Sequence, residues 1–179
     1  MRKEITSKGI EAVAKYSVKC AEAIRLTLED DEGVIYINMP YVEGGAIPWA
    51  LCYVAMGFEV FVSNKSVFET EGSKVRDYCR TGETGKPKLK NNFGKRRRVA
   101  IYSSDLVFPD TVNEAALELT SSAENVNGEY IKVIIVTPVG KVGISINNVS
   151  KIITATSDWN ETNNIQKEYR AIRATSHVT

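Results

Sequence analysis

The apolar positions along the chain fall into two periods. From Ile10 to Leu28, Ile10, Ala14, Ser17, Ala21, Ile24 and Leu28 recur at helical spacing with charges between them, which predicts one amphipathic helix closed by Asp30 to Gly33. Val34–Asn38, Phe58–Val62, Arg98–Tyr102, Ile131–Val136 and Lys151–Thr156 are short runs rich in β-branched and aromatic residues, and they read as buried strands. Between the first two, Pro48 fits a first helical turn and Gly57 a position just past the last, so Pro48–Met56 reads as a helix. That strand–helix–strand unit predicts parallel pairing through a right-handed crossover. Gly44 and Gly45 are expected in a loop before the helix. Pro109–Leu119 and Thr162–Ala174 read as further helices. Five strands alternating with helices give an α/β class, a RecA-like parallel sheet flanked by helices on both faces.

One stretch breaks the alternation. Residues 63–96 are polar, Gly- and Lys-rich and weakly periodic, and are expected as an insertion or mobile loop within a single domain spanning 1–179. A short helix is expected near Lys74–Cys79, and an exposed loop over Thr81–Asn92. The stretch also holds the chain's concentration of positive charge: Lys86, Lys88, Lys90, then Lys95, Arg96, Arg97 and Arg98. Two readings stand side by side, a loop that tracks phosphates and a solubilising loop before a strand. The net charge of +1 selects no partner as a total. Three widely spaced cysteines without a CxxC pair, and a single histidine, His177, argue against a zinc site or a disulfide framework and for a reducing, intracellular setting. No apolar run approaches the roughly 18 residues of a membrane span.

The candidate chemistry gathers between Thr137 and Arg173. A Gly-punctuated turn with Gly140 and Gly143 follows the run ending at Val136, at the end of a parallel strand where open α/β sheets bind ligands. Gln166, Arg170 and Arg173 are spaced i, i+4, i+7 and share one helical face, beside an apolar stripe of Ile165, Tyr169 and Ile172. Such a helix would aim one amide and two guanidinium groups at an anion.

These residues resemble a family. Thr137, Gly143 and Ile144 stand as in motif V of superfamily 2 helicases, and Gln166, Arg170 and Arg173 as in motif VI, with Tyr169 where that motif carries Gly. Asp158, Trp159 and Asn160 resemble the Trp-Asn segment of Swi2/Snf2-like relatives. Strings at Tyr16–Lys19, Tyr41–Ile47, Glu124–Lys132 and Arg170–His177 are similar to helicases of large nucleocytoplasmic DNA viruses, a group that includes the large subunit of the poxvirus early transcription factor.

The resemblance implies the second of two RecA-like domains, with ATP or another NTP, accompanied by Mg, bound in the cleft between them. Arg170 and Arg173 would then act catalytically on the β- and γ-phosphates, with Gln166, Gly143 and Ser145 at the nucleotide. Thr137, Gly44, Gly45, Lys95, Arg96 and Arg97 would contact DNA or RNA. The sequence holds no G-x-x-x-x-G-K-[ST], and Gly82–Lys86 runs into Pro87, so the Walker elements are expected from an N-terminal RecA-like domain in the same or another chain. The implied setting is viral transcription, in host cytoplasm, viral factory or virion. Val142 and Ser145, which depart from the residues common in motif V, keep open an alternative: a non-catalytic RecA-like scaffold that binds nucleic acid or a protein.

Overall fold

The computed structural model describes residues 9–61, 79–81, 87–89, 97–103, 113, 116–117, 119–137 and 146–156. Two helices, α1 (Ile10–Ala14) and α2 (Val18–Glu29), lead into β1 (Val34–Asn38). A π-helical turn over Val42–Ala46 runs into α3 (Ile47–Ala55), and β2 (Glu59–Phe61) follows. β3 (Cys79–Thr81) and β4 (Pro87–Leu89) form an antiparallel ribbon of their own. β5 (Arg98–Tyr102), β6 (Val133–Val136) and β7 (Val149–Thr154) complete a five-stranded sheet of order β2-β5-β6-β1-β7, parallel throughout. No described helix is long and apolar enough to cross a membrane.

The sheet is a core with two faces, as a parallel sheet must be. Alternate residues Ile35, Ile37, Val99, Ile101, Val133 and Ile135 pack beneath α1, α2 and α3. Their neighbours Val34, Tyr36, Ala100, Tyr102, Ile134 and Val136 pack on the other side against Ala116, Leu119 and Ile146. Between α2 and α3, the Tyr53 hydroxyl meets Thr27 Oγ1 at 2.9 Å, and its ring stands edge-on to Phe58 at 5.1 Å. Cys20 and Cys52 are buried free thiols in the same layer.

Several expectations are corrected. The first helix is two, because Ser17 turns extended (φ −157°, ψ 108°) and its side chain caps α2 by accepting from the Cys20 amide at 3.1 Å. Gly44 and Gly45 sit inside the π-helical turn rather than in an open loop. β2 does not pair with β1; it pairs with β5, and β5 and β6 lie between, so α3 crosses over them to the sheet edge. The expected Thr81–Asn92 loop contains β4, and Cys79, placed at the end of a short helix, begins β3. Of the helix expected over Pro109–Leu119, Asn113, Ala116, Leu117 and Leu119 are helical, and the helical residues extend to Thr120. The helix expected over Thr162–Ala174 lies outside the described residues.

The amino edge of the sheet is pinned by three loops. The Asn125 carboxamide, fully buried, accepts from the amides of Tyr130 and Ile131 (2.9 and 3.0 Å) and donates to the carbonyls of Ile131 and, more weakly, Thr120 (3.0 and 3.4 Å). Gly128 (φ +69°) lies so close to the Gly33 carbonyl that a Cβ would stand 2.3 Å from its oxygen. Lys132, 1% exposed, donates from Nζ to the carbonyls of Gly33 and Glu32 at 2.9 and 3.1 Å, and burial lowers its pKa. Asn148 (φ +65°) donates to Thr120 and Ser122 carbonyls at 3.1 and 2.8 Å. The Glu124–Lys132 string is thus a fastening of the fold.

Asn125→Ala should destabilise the domain by more than about 2 kcal/mol, since it leaves buried backbone groups unpaired. Gly128→Ala should also lower the melting temperature, from the Gly33 clash and the positive φ. Both are read by thermal or denaturant melts.

Acid should loosen the same edge. Burial raises the Asp30 carboxyl, but the Glu32 amide, Lys151, the Lys132 charge and the Ser150 hydroxyl outweigh it and hold the group below the usual carboxylate range. A carboxylate depressed on folding contributes stability that is present above its unfolded pKa, about 3.9, and is lost as pH falls through the folded value. Asp30→Asn should therefore flatten the loss of stability below about pH 4.

Candidate functional site

The carboxyl edge of the sheet collects the polar groups that end the strands. β5 ends at Tyr102 and β6 at Val136, and the Thr137 amide donates to the Tyr102 carbonyl at 3.0 Å. The Thr137 side chain turns inward. At 3% exposure its hydroxyl donates to Ser103 Oγ at 2.8 Å, with a longer contact of 3.4 Å to the Tyr102 carbonyl. Ser103, 1% exposed, is held by Asn113, whose carboxamide accepts from the Ser103 amide (3.3 Å) and donates to its carbonyl (2.7 Å). A buried chain of hydrogen bonds therefore runs from the helical residue Asn113 through Ser103 to Thr137.

Two further groups end on this edge. The Ala155 amide donates to the Asn38 carbonyl at 3.0 Å, tying the ends of β1 and β7. Lys19, which reads from sequence as a solvated surface charge, donates from Nζ to the Ala155 carbonyl at 3.1 Å and brings the start of α2 to the same edge.

The π-helical turn sits immediately beyond β1. The amides of Ala46 and Ile47 are spent on the carbonyls of Tyr41 and Val42, so they are not free donors at the start of α3. The two glycines differ: a Cβ on Gly45 would stand 2.5 Å from the Met39 sulfur, whereas one on Gly44 would meet open space. A side chain at Gly45 would displace Met39, and Gly44 leaves the backbone accessible.

Arg97 lies at the other end of the sheet. It precedes β5, and its Nη2 donates to Asp31 Oδ1 at 2.7 Å in an exposed ion pair. The register puts Thr137 level with Ser103, six residues on from Arg97, about 20 Å at roughly 3.3 Å per residue. The structure does not bring Arg97 and Thr137 together. Lys95, Arg96, Gly143, Ser145, Gln166, Arg170 and Arg173 lie outside the described residues.

Sequence reading missed Ser103 and Asn113. The signal available was positional: Ser103 follows the apolar run Val99–Tyr102 as Thr137 follows Val133–Val136, and a polar residue at that point ends on the edge where open α/β sheets bind ligands.

The model of the helicase conserved C-terminal domain matches residues 66–175, more than half of the chain. The chain belongs to this helicase C-terminal family. No curated protein and no solved structure shows significant similarity to it. Such a domain is the C-terminal half of a helicase, works in helicase-type NTP hydrolysis within a full protein, and generally binds nucleic acid. The match starts after β2, so β1, which lies between β6 and β7, belongs to the helicase domain although it precedes the matched segment.

The internal bonds of Thr137 make a specific forecast. Thr137→Val, which keeps the shape and deletes the hydroxyl, should cost about 1–2 kcal/mol in a denaturant melt, because a buried hydrogen bond to Ser103 is lost. Thr137→Ser should retain most of that stability. A hydroxyl serving only a phosphate would leave the melt unchanged.

Proposed function

We propose that the chain is the second RecA-like half of an NTP-driven helicase or translocase working in viral transcription. The observation that carries the reading is the order of its parts. The segment with Gly143 and Ser145 follows Thr137 at the carboxyl end of β6, and the segment with Gln166, Arg170 and Arg173 follows the carboxyl end of β7. In a RecA-like sheet that is the edge that meets nucleotide and nucleic acid. Arg170 and Arg173 would reach across the interdomain cleft to the phosphates of the NTP substrate. Charge accumulates there during phosphoryl transfer, and a planar guanidinium neutralises it bidentately. Gln166, Gly143 and Ser145 would line the nucleotide. Magnesium, which screens the phosphate charge, would be held mainly by the partner Walker domain. Closure and reopening of the two domains would step the protein along a strand.

In this reading Thr137 supports the segment that follows it. Its hydroxyl is engaged by Ser103, so contact with a phosphate would come from the backbone beyond it. That same engagement, with Val142, Ser145 and Tyr169 departing from the motifs, is what favours the second reading, a non-catalytic scaffold that binds nucleic acid or a partner protein.

An NTPase assay of the domain assembled with its Walker partner separates the two. Arg170→Ala or Arg173→Ala should reduce turnover by roughly 10³–10⁵, as for other arginine clamps on phosphoryl transfer. Arg→Lys should rescue poorly, since an ammonium does not bridge two oxygens in the guanidinium's planar geometry. Melting temperatures should shift little. Turnover left intact by both Ala variants would give the scaffold reading the lead.

A further inference from the structure

Two buried thiols have no part in the reading above. Cys20 in α2 and Cys52 in α3 are free cysteines in the layer beneath the sheet, 0% and 5% exposed, and their side chains are hydrogen-bonded to one another. Both positions are held. The Cys20 amide donates to the Ser17 hydroxyl at 3.1 Å, which fixes the start of α2. Next to Cys52, the Tyr53 hydroxyl meets Thr27 Oγ1 of α2 at 2.9 Å, which pins the two helices together. Sulfurs already in contact, on helices already pinned, meet the proximity that a disulfide requires.

The two thiols are not equivalent. The Cys20 S–H donates to Cys52 and holds that thiol below its ordinary range, against the burial that raises it. The same bond, together with burial, pushes the Cys20 thiol up. Cys52 is also the less covered of the two, so its sulfur reacts first and Cys20 second.

We propose that Cys20 and Cys52 form a redox-sensitive pair, which a peroxide converts from two thiols to a disulfide tying α2 to α3. The Cys52 thiolate attacks one oxygen of hydrogen peroxide, the O–O bond breaks, and hydroxide leaves to take up the thiol proton as water. Cys52 is then a sulfenic acid. The Cys20 sulfur attacks the Cys52 sulfur, an S–S bond forms, and the sulfenic hydroxyl leaves with the Cys20 proton as a second water. The two sulfurs give up the two electrons that the peroxide gains. Thiols reverse the step by exchange. The tie lies beside Lys19, whose Nζ holds the Ala155 carbonyl just past β7, so oxidation fastens to α3 the start of the helix that braces the carboxyl edge. This chemistry needs nothing from the helicase reading, and its failure would leave that reading where it stands.

The test is treatment of the folded full chain with hydrogen peroxide, then alkylation of the remaining thiols and peptide mass mapping, beside a thermal melt. Wild type should yield a Cys20–Cys52 crosslink that dithiothreitol removes. The oxidised protein should melt higher than the reduced one, because the crosslink closes a loop in the unfolded chain. Cys20→Ala should stop at a Cys52 sulfenic acid that dimedone traps, Cys52→Ala should leave Cys20 reduced, and Cys79→Ala should crosslink as wild type does. The crosslink and the melt of wild type need no variant, so a variant that fails to fold does not blunt the test. Oxidation of the thiols to sulfinic acids without a Cys20–Cys52 bond would overturn the proposal. So would a crosslink made only through Cys79, or an oxidised protein that melts no higher than the reduced one.

Discussion

Strand β1 is the constraint on which the other described parts depend. Its backbone bonds β6 on one side and β7 on the other, and its side chains are buried on both faces. A strand in that position has no surface left to give to solvent. It therefore carries Val, Ile, Tyr and Ile in succession, and it forces a layer onto each face of the sheet. Helices α1, α2 and α3 supply one layer, and Ala116, Leu119 and Ile146 belong to the other. Among the described residues, β7 has no other partner in the sheet.

The two edges of this sheet are tied by different residues. At the amino edge, Lys132 and Gly128 meet Gly33 nearly a hundred residues away, Asn148 reaches back 28 residues to Thr120, and Asn125 closes its own loop, mostly through backbone carbonyls and amides that side chains satisfy. Such bonds fix a loop in one shape. Among the described residues, the carboxyl edge is held by the buried chain from Asn113 through Ser103 to Thr137 and by Lys19 on the Ala155 carbonyl.

How much of this was legible depends on the range of the interaction. The five strands could be read because burial on both faces writes itself locally as unbroken β-branched runs such as Ile131–Val136. The break at Ser17 could not, because apolar spacing continues through it while a single cap decides the backbone. Strand order was hidden for a different reason: β2 reaches β5 only after later parts of the chain have taken the places beside β1, which is tertiary information. Asn125 and Gly128 belong to a string read for its resemblance, and their work is visible only once Gly33 and Ile131 are beside them. At the site, Thr137 was found, while its hydroxyl's partner Ser103 lies 34 residues away and was not.

The position of β1 relative to the family match has a practical consequence. A fragment cut to residues 66–175 would keep β5, β6 and β7 but lose the strand that joins β6 to β7. With β2 cut away as well, it would expose unpaired edges on β5, β6 and β7, the kind of surface that recruits strands from other molecules. Aggregation of such a fragment would reflect a domain boundary drawn about thirty residues too late and would say nothing against the stability of the intact domain.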